Sequence, residues 1–187
     1  MRPVAVARAC PSIRKGGSRA VTDVEQGDRR DSDRRFLRHC VATLAYRAAK
    51  ALRGAPEGFA DFRLSDTTRT PGDILRHMGD LLAWALSMAQ GAEAWRPVGS
   101  RPWADEVDRF FAAARAFDAY LASDAPLHAP AARLFQGPIA DALTHVGQLA
   151  TRRTLAGSPV RGENYFVADI AIGRVGPDQA PPRREFG

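Results

Sequence analysis

The sequence predicts an all-α protein built as a four-helix bundle. Three observations carry that expectation. Four stretches repeat apolar residues at three- and four-residue spacing, residues with capping or stopping preferences punctuate them, and long connections rich in Gly and Pro join them. In the first stretch, Phe36, Leu37, Cys40, Val41, Leu44, Ala48, Ala51 and Leu52 form the stripe. Asp31 or Ser32 can cap its start, and Gly54 can end it.

The second helix has the clearest start. Thr70-Pro71-Gly72-Asp73 combines a Thr cap, Pro at the first helical position and a carboxylate three residues after the cap. Its stripe is Ile74, Met78, Leu81, Leu82, Ala85 and Met88, and Gly91 stops it. The third helix is expected over 103–122, with Val107, Phe110, Phe111, Ala114, Phe117 and Leu121 on one face. Pro138 offers a first residue for the fourth, which carries Ile139, Ala142, Leu143, Val146, Leu149 and Ala150 and stops at Gly157.

The expected organisation has three parts. Residues 1–30, without apolar periodicity, read as a flexible basic extension, and 31–157 as the bundle. Residues 158–187 read as an irregular Gly/Pro-rich tail lying across the bundle, with Phe166–Ile170 able to pack. Hydrophobic residues make up 45% of the chain, enough for a core. No apolar run approaches the roughly 20 residues that span a bilayer. The N-terminus has too short an apolar stretch for a signal peptide, so the cytoplasm is the expected location and no membrane is expected as a partner. Cys10 and Cys40 lie in no metal or redox spacing, and Cys40 reads as a small buried hydrophobe.

The net charge of +6 invites a nucleic-acid reading, but its distribution argues against one. Residues 1–35 hold nine Arg or Lys against five Asp or Glu, which places +4 there and leaves +2 for 36–187. The basicity belongs to the leading segment rather than to a face of the folded domain.

Of the four histidines, His39 borders the first stripe and reads as partly exposed, and His128 lies in a Pro/Ala loop. His77 falls between Ile74, Leu81, Trp84 and Met88 on a helical wheel, so it points to the bundle interior or its mouth. Asp141 and His145 are neighbours on one helix face, a spacing that can hold one metal ion. A solvated polar stripe of Asp141, His145, Gln148 and Arg152 is the competing reading.

The segment GPIADALTHVGQLATRRTLAGSPVRGENYF resembles the fourth helix of the DinB-like (damage-inducible-protein-like) bundle family, where His-x-x-x-His is followed by Gly-Gln and an apolar residue. TRTPGDILRHMGDLLAWAL resembles that family's second helix, with its single histidine, and FLRHCVATLAYRAAKALRG fits the first. The likeness covers residues 32–160. It implies a divalent-metal site of His77, Asp141 and His145, with Asp141 standing where the family commonly has histidine. A set of two histidines and one carboxylate suits zinc, nickel, manganese or iron and leaves open coordination positions.

The resemblance implies a metal-dependent hydrolase or a thiol-dependent transferase acting on a small molecule, the ion activating a water or a thiol. Asp73 and Asp80 border the His77 face as candidate bases, with Asp80 expected to be solvated. Arg152 and Glu163 are candidate substrate-binding residues, Glu163 by folding back over the site. The alternative is a non-catalytic stress-related binding or oligomerisation module with a structural ion or none. A structural ion would be closed by a fourth ligand such as His39 or Glu163. Trp84, Trp95, Trp103 and Phe166 would then serve a subunit interface, for instance of a homodimer, against their reading as core and loop packing.

Overall fold

A computed structural model describes residues 18–187. The described chain is mostly helical, with very little strand. Helix α1 is Ser18–Leu52, α2 is Pro71–Ala89 and α3 is Trp103–Ala122. Helix α4 (Ala131–Leu134) passes through a π-helical turn (Phe135–Ile139) directly into α5 (Ala140–Leu155). No helix among the described residues is long and apolar enough to cross a membrane.

The chain divides after Ser32, and Asp33–Gly187 forms the larger unit. Its core takes Leu37, Val41, Leu44 and Ala48 from α1, Ile74, Met78, Leu82 and Ala85 from α2, and Phe110, Phe111, Phe117 and Leu121 from α3. Ala142, Val146 and Leu149 complete it from α5. These are the apolar stripes of the sequence, brought face to face because each alone would leave its hydrophobic side in water.

Three expectations need correction. Helix α1 begins at Ser18, ahead of the expected start at Asp31 or Ser32; residues 1–17 lie outside the described residues. Asp31 and Ser32 sit within the helix and are exposed, not at its start. Elongating a helix that packing has nucleated adds a hydrogen bond per residue, and needs no apolar stripe. Second, Phe36 is 58% exposed and meets Phe135 (ring centroids 6.1 Å apart) instead of entering the core.

Third, Pro138 does not open the last helix. It lies inside the π-turn, and the helical path starts at Ala131 with Pro130 as its cap. Proline lacks an N–H and crowds the carbonyl four residues back, so the wider turn absorbs it without ending the helix. Leu134, part of the expected connection, is thereby buried in the core.

The expected stops hold. Gly54, Gly91 and Gly157 have φ of 63°, 75° and 74°, the left-handed conformation that favours glycine after a helix. At the start of α2, the Asp73 amide donates to the Thr70 hydroxyl (3.1 Å), and the Thr70 amide donates to the Asp73 carboxylate (3.2 Å). Burial pushes the Asp73 carboxyl up, but the Thr70 hydrogen bonds and the charges of Arg76 and Arg63 outweigh it and hold the group below its ordinary value. A depressed folded-state pKa stabilises the fold above the unfolded value, and that contribution is lost as pH falls through the folded one. Asp73→Asn should therefore cost about 1 kcal/mol at pH 7. In urea titrations the difference from wild type should shrink below about pH 4; an equal difference at pH 7 and pH 3 would refute the charged cap.

The tail after α5 carries a two-residue antiparallel pair, β1 (Gly162–Glu163) with β2 (Glu185–Phe186), in register Gly162↔Phe186 and Glu163↔Glu185. Val175 is buried in the core and Ile170 packs against it, whereas Phe166 is 97% exposed and does not pack as expected.

Candidate metal centre

Helix α2 packs against both α3 and α5, and the contact with α5 brings His77 opposite Asp141 and His145. Its origin is the apolar stripe: with Ile74, Met78 and Leu81 turned into the core, His77 falls at the edge of the α2–α5 seam. On α5 the four-residue spacing stacks Asp141 and His145 on one face.

His77 Nε2 stands 3.4 Å from Asp141 Oδ2, and His145 Nε2 stands 3.5 Å from Asp141 Oδ1. The two imidazoles meet edge to face at 5.0 Å between centroids. One ligand atom from each residue can be chosen so that all lie within 4.8 Å of one another. Four ligands about 2.1 Å from a tetrahedral ion are separated by about 3.4 Å. The carboxylate–imidazole distances, each to a different oxygen of Asp141, are close to that spacing, and the three residues could in principle hold a divalent cation. At 3.4 and 3.5 Å both Asp141–imidazole pairs are longer than a good direct hydrogen bond.

Burial is graded. The side chain of His145 is 9% exposed, that of His77 23% and that of Asp141 47%. The group therefore has one open side, at Asp141. His145 Nδ1 lies 2.9 Å from Gln148 Oε1. Since the amide oxygen can only accept, Nδ1 carries the hydrogen and Nε2 presents its lone pair towards Asp141. Burial, joined by His145 and the charge of Arg69, pulls His77 below its ordinary pKa against the opposing pull of Asp141. The neutral imidazole is the ligating form. Trp95 stands edge-on to His77 at 5.7 Å and to Trp84 at 5.7 Å, which gives the centre an aromatic wall.

The other candidates are placed elsewhere. Asp80 is buried, not solvated, and accepts from Arg109 Nη1 at 2.9 Å, while Arg109 Nε donates to buried Glu106 at 2.7 Å. Asp73 is committed to the α2 cap. His39 and His128 are exposed and join no group of metal-binding side chains among the described residues. Trp103 packs on Phe59, with centroids 5.5 Å apart.

Glu163 does not fold over the centre. Its side chain is fully buried, accepting from the Tyr46 hydroxyl (2.7 Å) and from Lys50 Nζ (2.8 Å), which also reaches Glu185 at 2.7 Å. Burial and the bond to Glu163 raise the Tyr46 phenol well above its ordinary pKa, so it remains a donor. This cluster ties the tail to α1. Glu163→Gln should cost about 2 kcal/mol in urea denaturation, the scale of a hydrogen bond to a charged group, and leave metal content unchanged. Loss of metal with intact stability would return Glu163 to the centre.

Arg152 is on the same face of α5 as Asp141, His145 and Gln148. Its Nη2 lies 3.3 Å from the Arg69 carbonyl oxygen and its Nη1 3.5 Å from that of Gln148. In the sequence Gln148 belongs only to a polar stripe. Its spacing of three from His145 was the available signal for an orienting partner; for Trp95 and Arg69, both in loops, no local signal existed.

These features define a helical protein with a two-histidine, one-carboxylate group at the seam of two helices. Compared with protein-family models, curated proteins and solved structures, the chain matches none.

Proposed function

We propose that this chain is a divalent-metal-dependent enzyme of the DinB-like kind, acting on a small molecule. The observation that carries the reading is the convergence of His77, Asp141 and His145 with one side open, at Asp141. A structural ion is usually closed by a fourth protein ligand. The two candidates for that role, His39 and Glu163, are exposed and engaged with Tyr46 and Lys50 respectively.

Bound there, a zinc, nickel, manganese or iron ion would polarise a substrate oxygen or favour the thiolate form of a thiol. Asp141 supplies the negative charge that offsets the ion, and Gln148 holds the His145 ring in its ligating tautomer. Hydrolysis also needs a general base near the reacting water. Asp73 and Asp80, the carboxylates on α2, are held by Thr70 and Arg109. Thiol-dependent transfer asks for no such base from the protein, and we favour it for that reason.

Elemental analysis of protein purified without chelators should find close to one divalent ion per chain, lost in His77→Ala and in His145→Ala. Metal-free wild-type protein that also fails to take up added zinc, nickel or manganese would refute the proposal.

A further inference from the structure

We infer that the cleft between α2 and the connection that follows it binds a small organic ammonium, its charge held by Asp80 and its carbons lying against Trp84. The cleft takes no residue from the metal group, so it stands apart from the metal reading above.

Local structure forms the cleft. Asp80, Ala83, Trp84 and Ser87 follow one another at helical spacing and share one face of α2, beside the stripe that Met78, Leu82 and Ala85 bury in the core. Ala94 and Arg96 form the opposite wall. The Ala94 amide donates to Ser87 Oγ (3.1 Å) and the Ala92 amide to the Ser87 carbonyl oxygen (2.9 Å). These bonds tie the connection to α2 about two helical turns beyond Asp80. Between them lies a space of about 290 Å³, near the lower end of small-molecule sites.

Buried charge beside the cleft lacks a partner. Asp80 is 5% exposed and Glu106 2%, and the two acids share one guanidinium. Arg109 Nη1 donates to Asp80 Oδ1, Nε to Glu106 Oε2 and Nη2 to the Arg76 carbonyl oxygen, so all three nitrogens are engaged. The second oxygen of each acid accepts from no group among the described residues. Glu106 Oε1 is enclosed, whereas Asp80 Oδ2 is not, and Asp80 lines the cleft. Two carboxylates against one cation leave a net negative charge, and an ammonium donating to Asp80 Oδ2 supplies both the missing charge and the missing donor.

The walls define the kind of cation. Hard divalent ions take about six oxygen ligands, and a single free carboxylate oxygen faces the cleft. Trp84 stands one turn from Asp80, and an indole ring face attracts an ammonium. Ala83 and Ala94 add apolar surface for its carbons. Arg96, the cation of the lining, is exposed and pairs with no carboxylate among the described residues, so a second positive charge on the ligand is disfavoured.

The test is isothermal titration calorimetry of the full chain with three compounds of similar shape: phenethylammonium, 2-phenylethanol and phenylacetate. Phenethylammonium should bind about tenfold or more tightly than 2-phenylethanol, the ratio expected of a hydrogen bond to a charged group, and phenylacetate should not bind. Asp80→Asn should remove the preference for the amine. Ala83→Phe, at an exposed helix position, should fill the cleft and abolish binding while the melting temperature stays at the wild-type value. Equal affinities for amine and alcohol, undiminished binding in Ala83→Phe, or a heat that sodium chloride reproduces would overturn the inference. If Asp80→Asn does not fold, because its carboxylate also holds Arg109, Ala83→Phe decides alone. His77→Ala should leave the affinity for the amine unchanged even where it loses metal; a fall there would place the amine in the metal group and overturn the inference.

Discussion

Arg153→Met should lower stability by about 3–5 kcal/mol, the loss expected when a buried charge network is broken, and melting by roughly 10 °C. Arg153 is 5% exposed and has no carboxylate partner. Its Nη1 donates to the carbonyls of Ala51 (3.1 Å) and Arg53 (2.9 Å), its Nη2 to Gly54 O (2.9 Å) and Ser158 Oγ (2.8 Å), and its Nε to Ser158 O (3.0 Å). The last carbonyls of a helix have no partner within it and form the negative end of its dipole. Arg153 thus caps the C-terminus of α1 from the end of α5, lying 5.9 Å from the centroid of the buried Phe59 ring.

Methionine would fill much of the volume but leave those carbonyls buried without donors. Arg153→Lys should lose less, since an ammonium keeps the charge but offers three donors to a site with five acceptor contacts. Urea denaturation followed by circular dichroism measures both. A loss under 1 kcal/mol for Arg153→Met would mean that water replaces the guanidinium and that the end of α1 is not closed by it.

Arg153 also marks the limit of what residue order conveys. Helices α2 and α3 were legible because stripe and boundary agree: Thr70 and Asp73 start α2 where its apolar period begins, and the Phe110–Phe117 face has no competing period. The start of α1 was not, because Ser18–Asp33 continues the helix without an apolar stripe. At Pro138 a local preference for a helix start yielded to the burial of Leu134 and Ile139 on either side of it. Asp80 reads as solvated and Glu163 as a substrate-binding residue folded over the centre because their partners, Arg109 in one case and Tyr46 and Lys50 in the other, are brought to them only by tertiary packing. The same holds for Arg153, whose acceptors in α1 lie some hundred residues earlier in the chain. In the candidate centre, the Asp141–His145 pair could be read from spacing alone. Its meeting with His77 depends on how α2 packs against α5, which in the sequence only the family resemblance implies.

On the metal reading, Asp141→Ala should weaken divalent-ion binding by about 100-fold or more, whereas Asp141→His should keep one ion per chain. Loss of a partner that merely orients a ligand already costs tenfold to about 100-fold, and alanine would remove a ligand and its charge together. Asp141 stands between the two histidines, 3.4 Å from one and 3.5 Å from the other, and no further His, Cys, Asp or Glu among the described residues joins the group. Histidine there would supply a neutral nitrogen with longer reach, and the 47% exposure of Asp141 gives it room.

The exchange should also move selectivity, since a third imidazole in place of a carboxylate favours zinc, nickel or copper over manganese. Competition between zinc and manganese, read by the rise in melting temperature that each ion produces, separates affinity from preference, because an ion bound only by the folded state stabilises it by about 2.7 kcal/mol at a hundred times its Kd. Asp141→Asn distinguishes charge from shape: it keeps the carbonyl oxygen but not the anion, and should fall between wild type and Asp141→Ala. Should Asp141→Ala bind zinc as tightly as wild type, the two histidines alone would be holding the ion, and the open side of the centre would not be where Asp141 places it.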